Sequence, residues 1–162
     1  MTPVTESVVG TFTQTETQLP VRIDARQVME ILGVEYQVPP GNIASAGGTS
    51  TDEFQNGMTQ ITKRSQSAEI ALSDADCVDK VKIWTMDKFA EATETGGAGF
   101  NGDEVIWHDF ASSGFGFLVA SQSMFLAIDW TTVHTPVLTS QARLLYRLVK
   151  VSAEELIGLV SQ

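Results

Sequence analysis

Apolar residues along this chain recur mostly at every second position, in runs separated by clusters of Gly, Ser, Thr, Asn and Pro. That period is the pleat of a β-strand, whose successive side chains point to opposite faces. The clearest run is VMEILGVEYQV, residues 28–38. Val28, Leu32, Val34, Tyr36 and Val38 fall on one face, with Glu30 as the only charge among them. The other face passes from Met29 and Ile31 to Gly33, Glu35 and Gln37. Gly33 at the centre and Pro39-Pro40-Gly41 at the end both argue against a helix. A second strong run fills residues 142–151, where Leu144, Leu145, Tyr146, Leu148, Val149 and Val151 are interspersed with Arg143, Arg147 and Lys150.

Further strands are expected at residues 58–72 (Ile61, Ala68, Ile70, Leu72), 81–85, 104–110, 117–120 and 124–128. The last two flank Ser121-Gln122-Ser123, which reads as a tight hairpin. Residues 39–57 and 93–103 read as Gly-rich loops, 73–79 as a turn, 86–92 as one or two helical turns, and 130–140 as a loop around Pro136. The chain closes on a helix signal. Ser152 and Glu155 stand at capping-box spacing, and Val151 and Leu156 are placed for a hydrophobic staple.

Seven or eight strands with a short C-terminal helix make an all-β antiparallel sandwich, for which a jelly roll is the natural form. Residues 21–162 are expected to form this single domain. Residues 1–20, rich in Thr, Glu and Gln, read as an N-terminal arm in which Val8, Val9 and Phe12 suit a short edge strand. No period of 20–50 residues repeats, which sets solenoids and propellers aside.

Composition narrows the function classes. A chain of 162 residues with 43% hydrophobic and 19% charged content suits one packed domain. Its net charge of −10 repels phosphate backbones, so direct nucleic-acid binding is not expected. A lone cysteine, Cys77, excludes an internal disulfide and leaves the compartment open. The start lacks the basic and apolar regions of a secretory signal. No apolar run approaches the roughly 20 residues of a membrane-spanning helix.

Candidate chemistry is sparse. His108 and His134 stand far apart, with no local pair of the kind that supplies two metal ligands. Asp74, Asp76 and Asp79 resemble the start of a calcium loop, but Val78, Asp79 and Thr85 occupy positions where an EF-hand needs an oxygen ligand, Gly and Glu. A solvated turn is the simpler reading. Cys77 lacks a neighbouring cation, and Gly96-Gly97-Ala98-Gly99 lacks the Lys and Ser or Thr of a phosphate loop. Trp84, Trp107, Trp130, Phe110, Phe115 and Phe117 suit a carbohydrate platform, although such residues are more often core. No catalytic, cofactor-binding or metal-binding residue is therefore assigned, no cofactor is expected, and a small-molecule ligand is not.

The two long strands bracket the domain, and in a jelly roll the first and last core strands are neighbours in one sheet. Pairing residues 28–38 with 142–151 places Glu30 and Glu35 near Arg143, Arg147 and Lys150 as opposite-charge cross-strand pairs. With this strand order, its Thr-rich arm and a structured chain end, the stretch 28–160 resembles the single jelly-roll coat proteins of icosahedral viruses. The resemblance is one of topology and includes no sequence motif. It implies a non-enzymatic capsid subunit, located in the virion, whose partners are copies of itself and other virion proteins. Many such proteins carry a basic arm, whereas residues 1–20 contain no Lys or Arg. The genome would then be faced by an underlying membrane, another protein or counterions. A ligand- or carbohydrate-binding β-sandwich used for host attachment is the alternative.

Overall fold

The computed structural model describes residues 1–8, 10–38, 53–87, 104–130 and 137–161. Within them lie nine strands and one α-helix: β1 (Val4–Thr5), β2 (Thr13–Gln18), β3 (Gln27–Val38), β4 (Glu53–Thr62), β5 (Cys77–Asp87), β6 (Glu104–Asp109), β7 (Phe117–Val119), β8 (Ser123–Trp130), β9 (Thr139–Lys150) and α1 (Ala153–Val160). Every pairing is antiparallel. One sheet runs β1-β9-β3-β6, with β7 also on β3; the other runs β2-β8-β4-β5.

Read outward from the middle of the chain, β4 pairs with β5, β3 with β6 and β7, β2 with β8, and β1 with β9. The chain is thus one long hairpin, rolled so that successive pairs of strands alternate between the two sheets. That wrapping is the antiparallel jelly roll expected from the strand count. It also explains why β9 lies between β1 and β3, with the early strand 27–38 as its long neighbour. β3 is the third strand, not the first, so the expected pairing is correct while its first-with-last reasoning belongs to β1.

The core lies between the sheets. Met29, Ile31, Val34 and Tyr36 of β3 meet Ile61, Val81, Met124, Leu126, Ile128 and Trp130 from the other sheet. The face of β3 changes phase along its length. Ile31 is opposite Tyr146 and Gly33 is opposite Leu145, so Leu32 is an extra residue, a β-bulge. Before the bulge the odd positions Met29 and Ile31 face the core; after it the even positions Val34 and Tyr36 do. The unbroken even-numbered face expected from the sequence is therefore correct only beyond Gly33. One inserted residue inverts every side chain beyond it. The bulged Leu32 carbonyl accepts a hydrogen bond from Phe110 N–H at 2.9 Å.

Register places the expected charge pairs directly across from each other. Glu30 is opposite Arg147 and Glu35 is opposite Arg143. Arg147 Nε donates to Glu30 Oε2 at 2.6 Å, and an Arg143 terminal nitrogen donates to Glu35 Oε2 at 2.9 Å. Lys150 is opposite Gln27 instead.

Several expected elements are placed differently. Residues 117–120 and 124–128 do not form a hairpin: β7 joins β3, whereas β8 joins β2 and β4 in the other sheet. The link between them crosses from sheet to sheet, its Ser121 hydroxyl donating to Ser123 O at 2.7 Å. The strand expected at 58–72 is β4, which starts at Glu53, inside the expected 39–57 loop, and ends at Thr62. Ala68, Ile70 and Leu72 lie beyond it, because Gln60 holds their segment with its side-chain amide. Gln60 donates to Ala68 O at 3.3 Å and accepts from Ile70 N–H at 3.1 Å. The strand expected at 81–85 begins earlier, at Cys77, and the closing strand begins at Thr139.

The stretch read as an arm, residues 1–20, supplies a strand to each sheet. Thr13, Thr15 and Thr17 are β-branched at alternate positions, and they carry β2 along β8. Val8 and Phe12 lie outside both strands. Val9, residues 88–103 and His134 lie outside the described residues, as does most of the 39–57 loop.

Candidate functional site

Between the two sheets, polar side chains gather at one place. His108 on β6 and Asp79 on β5 face each other across the sandwich, with Nδ1 2.7 Å from the carboxylate. Asp79 is 7% exposed and His108 33% exposed. The ring of His108 stands edge-on to Tyr36, centroids 5.8 Å apart. The buried Tyr36 hydroxyl lies near the Asp79 carboxylate but not in hydrogen-bonding geometry with it. Burial first, and then the Asp79 charge, push the phenol well above its ordinary pKa. Burial likewise raises the thiol of Cys77, opposing the attraction of Lys80. A raised thiol is the reverse of what a nucleophile needs. The cluster joins the sheets.

The aspartates of the 73–79 turn do not converge. Asp74 accepts from Asp76 N–H at 2.8 Å within the turn, Asp76 lies 3.5 Å from Arg64, and Asp79 turns inward to His108. Among the described residues no group of three or more His, Cys, Asp or Glu is arranged to hold a metal. Sequence spacing carried no sign of the Asp79–His108 pair, because the two residues belong to different sheets and meet only when the hairpin rolls up.

The outer face of the β9-β3-β6 sheet is the second feature. Across it run the pairs Glu35–Arg143 and Glu30–Arg147, with Gly33 and Leu145 between them. Trp107 of β6 lies over Gly33, where a Cβ would stand 2.5 Å from the indole Cη2. Glu30 also accepts from Gly116 N–H at 3.1 Å, so one carboxylate ties β3 to β9 and to the turn before β7. The Arg147 hydrogen bond, followed by the Gly116 amide, holds Glu30 below the usual carboxylate range. A cavity of about 260 Å³ opens nearby, lined by Met1, Glu35, Gln37, Val105, Gln141 and Arg143. Glu35 and Arg143 in its lining are already paired with each other.

Of the aromatic set considered as a binding platform, Trp130 is buried in the core, and Phe110 and Phe117 pack against it. Trp107 and Phe115 are exposed, and the side chain of Trp84 lies outside the described residues.

The third feature is the chain end. Both bonds of the capping box form: Glu155 N–H donates to the Ser152 hydroxyl at 3.2 Å, and Ser152 N–H donates to the Glu155 carboxylate at 2.8 Å. That hydrogen bonding keeps the Glu155 carboxyl below its usual range. Yet no residue of α1 is buried, and Ile157 and Val160 are exposed. No helix among the described residues is long and apolar enough to cross a membrane.

No protein-family model and no curated protein matches this chain. Among solved structures, the unassembled KI polyomavirus VP1 pentamer shows a weak, partial resemblance. Its TM-score is 0.47 at 12% identity, over 90% of this chain and 76% of that one.

Proposed function

We propose that the chain is a non-enzymatic structural protein of a virion, a capsid subunit that self-assembles into a shell. The observation that carries this reading is α1. It is capped on both bonds, yet Leu156 and Leu159 are only half-buried, and Ile157 and Val160 are 69% and 51% exposed. Eight residues are too few for a helix to persist in water on propensity alone, so tertiary or quaternary packing must supply its stability. The chain itself covers Leu156 and Leu159 only in part and leaves Ile157 and Val160 bare, which directs that face to a neighbouring subunit.

The jelly-roll wrapping supports the reading, since its two broad sheets give a subunit flat faces to tile. The partners are copies of the chain itself and other virion proteins, and the location is the virion. With a net charge of −10 the subunit does not neutralise a genome, so that task falls to another component. An attachment module working through an aromatic strip is less well supported, since of six candidate rings only Trp107 and Phe115 are exposed among the described side chains.

Light scattering coupled to size exclusion, followed by electron microscopy, tests the proposal on the intact chain. Expected are oligomers much larger than a dimer, and closed or partial shells at high protein concentration. A monomer at every concentration and ionic strength overturns it.

A further inference from the structure

Among the described residues, the strand β9 has an open edge. Its partner on that side, β1, covers only Thr139 and Ser140, and Met1 reaches Ala142. Beyond Ala142 no described strand pairs with this side of β9, although the strand continues to Lys150.

Strand alternation fixes which backbone groups face outward. Leu138 O accepts from Glu6 N–H at 2.9 Å and Ala142 O accepts from the Met1 amine at 2.8 Å, so even-numbered residues point toward the β1 side. Val151 N–H donates inward to Arg26 O at 3.1 Å, as odd-numbered residues do. Leu144, Tyr146 and Leu148 therefore direct their amides and carbonyls to the open edge. Their side chains share one face of the strand, and Tyr146 and Leu148 are 42% and 38% exposed. A long, open edge carrying apolar side chains is a template for another strand.

We infer that this edge pairs with the same edge of a second copy, antiparallel about a twofold axis through Tyr146. The inference rests on the self-assembly reading and names one of its interfaces. A C2 contact requires a self-complementary surface, and β9 provides one. With Tyr146 opposite its symmetry mate, Leu144 faces Leu148, Arg143 faces Val149 and Leu145 faces Arg147. No like charges stand directly opposite each other. Shifting one copy by two residues in one direction sets Arg143 against Arg147; shifting it the other way sets Arg147 against itself. Either clash is destabilising. A further shift in that second direction leaves only residues 146–150 to pair before the strand ends at Lys150. The product is a sheet continuous through both subunits, β6-β3-β9 joined to β9-β3-β6.

Two sets of variants of the full chain test this. Leu148→Lys places a charge opposite Leu144 of the other copy and is expected to weaken dimer association about tenfold or more. Its melting curve serves as the folding control, since Leu148 is partly exposed in the monomer. Tyr146→Cys is expected to cross-link into dimers under mild oxidation, because a hydrogen-bonded antiparallel pair sets Cα atoms about 5.5 Å apart, within disulfide reach. Leu144→Cys alone is expected not to cross-link, whereas combined with Leu148→Cys it does. Oligomers that form undiminished with Leu148→Lys, without the Tyr146→Cys cross-link, overturn the edge pairing and leave the shell reading standing. A wild-type chain that is monomeric throughout overturns both.

Discussion

Gly57 of β4 is register-paired with Trp130 of β8. The indole lies directly across the glycine. A Cβ added there would come within 2.6 Å of Cζ2 and nearer still to Cε2 and Cδ2. Trp130 is only 1% exposed and sits in the core with Leu126 and Ile128, so the rigid ring has little room to retreat. Gly57→Ala is an overpacking change of one methyl group, for which about 1–3 kcal/mol of destabilisation is expected. For a chain of this size that corresponds to a drop in melting temperature of about 2–12 °C. Thermal and urea unfolding of Gly57→Ala, Trp130→Leu and the double variant form a double-mutant cycle. Removing the ring opens space for the new methyl, so the two changes should couple favourably, by about 0.5–3 kcal/mol. A Gly57→Ala protein as stable as wild type, or strictly additive changes, would refute the placement of the indole against Gly57 and with it the β4–β8 register.

Three other outcomes are expected. The Glu30 carboxyl is held below its usual range by Arg147, so its contribution to stability is present at neutral pH and lost as pH falls through the lowered value. Glu30→Gln should lower stability at pH 7 and flatten the acid limb of a stability–pH profile from chemical denaturation; an unchanged acid limb would count against the link. Deleting residues 152–162 should leave the monomer's melting temperature within a few degrees of wild type, because α1 buries nothing in the core, while abolishing large assemblies in light scattering. Collapse of the monomer fold on that truncation would instead show that the helix belongs to the domain's own stability. Cys77 is 5% exposed with a thiol raised by burial, so it should react with a thiol reagent at pH 8 only after denaturant is added. Rapid reaction of the native protein would contradict that burial.

Much of the long-strand architecture could be read from the residues. The alternation over 28–38 and 142–151 announced the two longest partners of the first sheet, and their charges were enough to predict Glu30 and Glu35 opposite arginines. The capping box was legible because both of its hydrogen bonds are made within four consecutive residues. Misreadings came where a local pattern was cut by a distant contact. Ser121-Gln122-Ser123 has the composition of a hairpin turn, yet Val119 pairs with Met29 and Met124 with Thr17, more than 80 residues away in each case. Ala68 and Ile70 alternate like strand residues, but Gln60 takes their backbone groups, and hydrogen bonding from one side chain outweighs a weak β propensity.

By itself the sequence determined the period of the strands, their polarity, the acidic balance of the surface and the form of the chain's last turn, since these depend on neighbours a few residues apart. The tertiary structure decided which sheet each strand joins, where β3 reverses its face, the meeting of Asp79 with His108, and the exposure of α1 and of the β9 edge. Each of those depends on how a single hairpin closes on itself. That closure is fixed by many weak long-range contacts acting together, which no short stretch of the chain encodes alone.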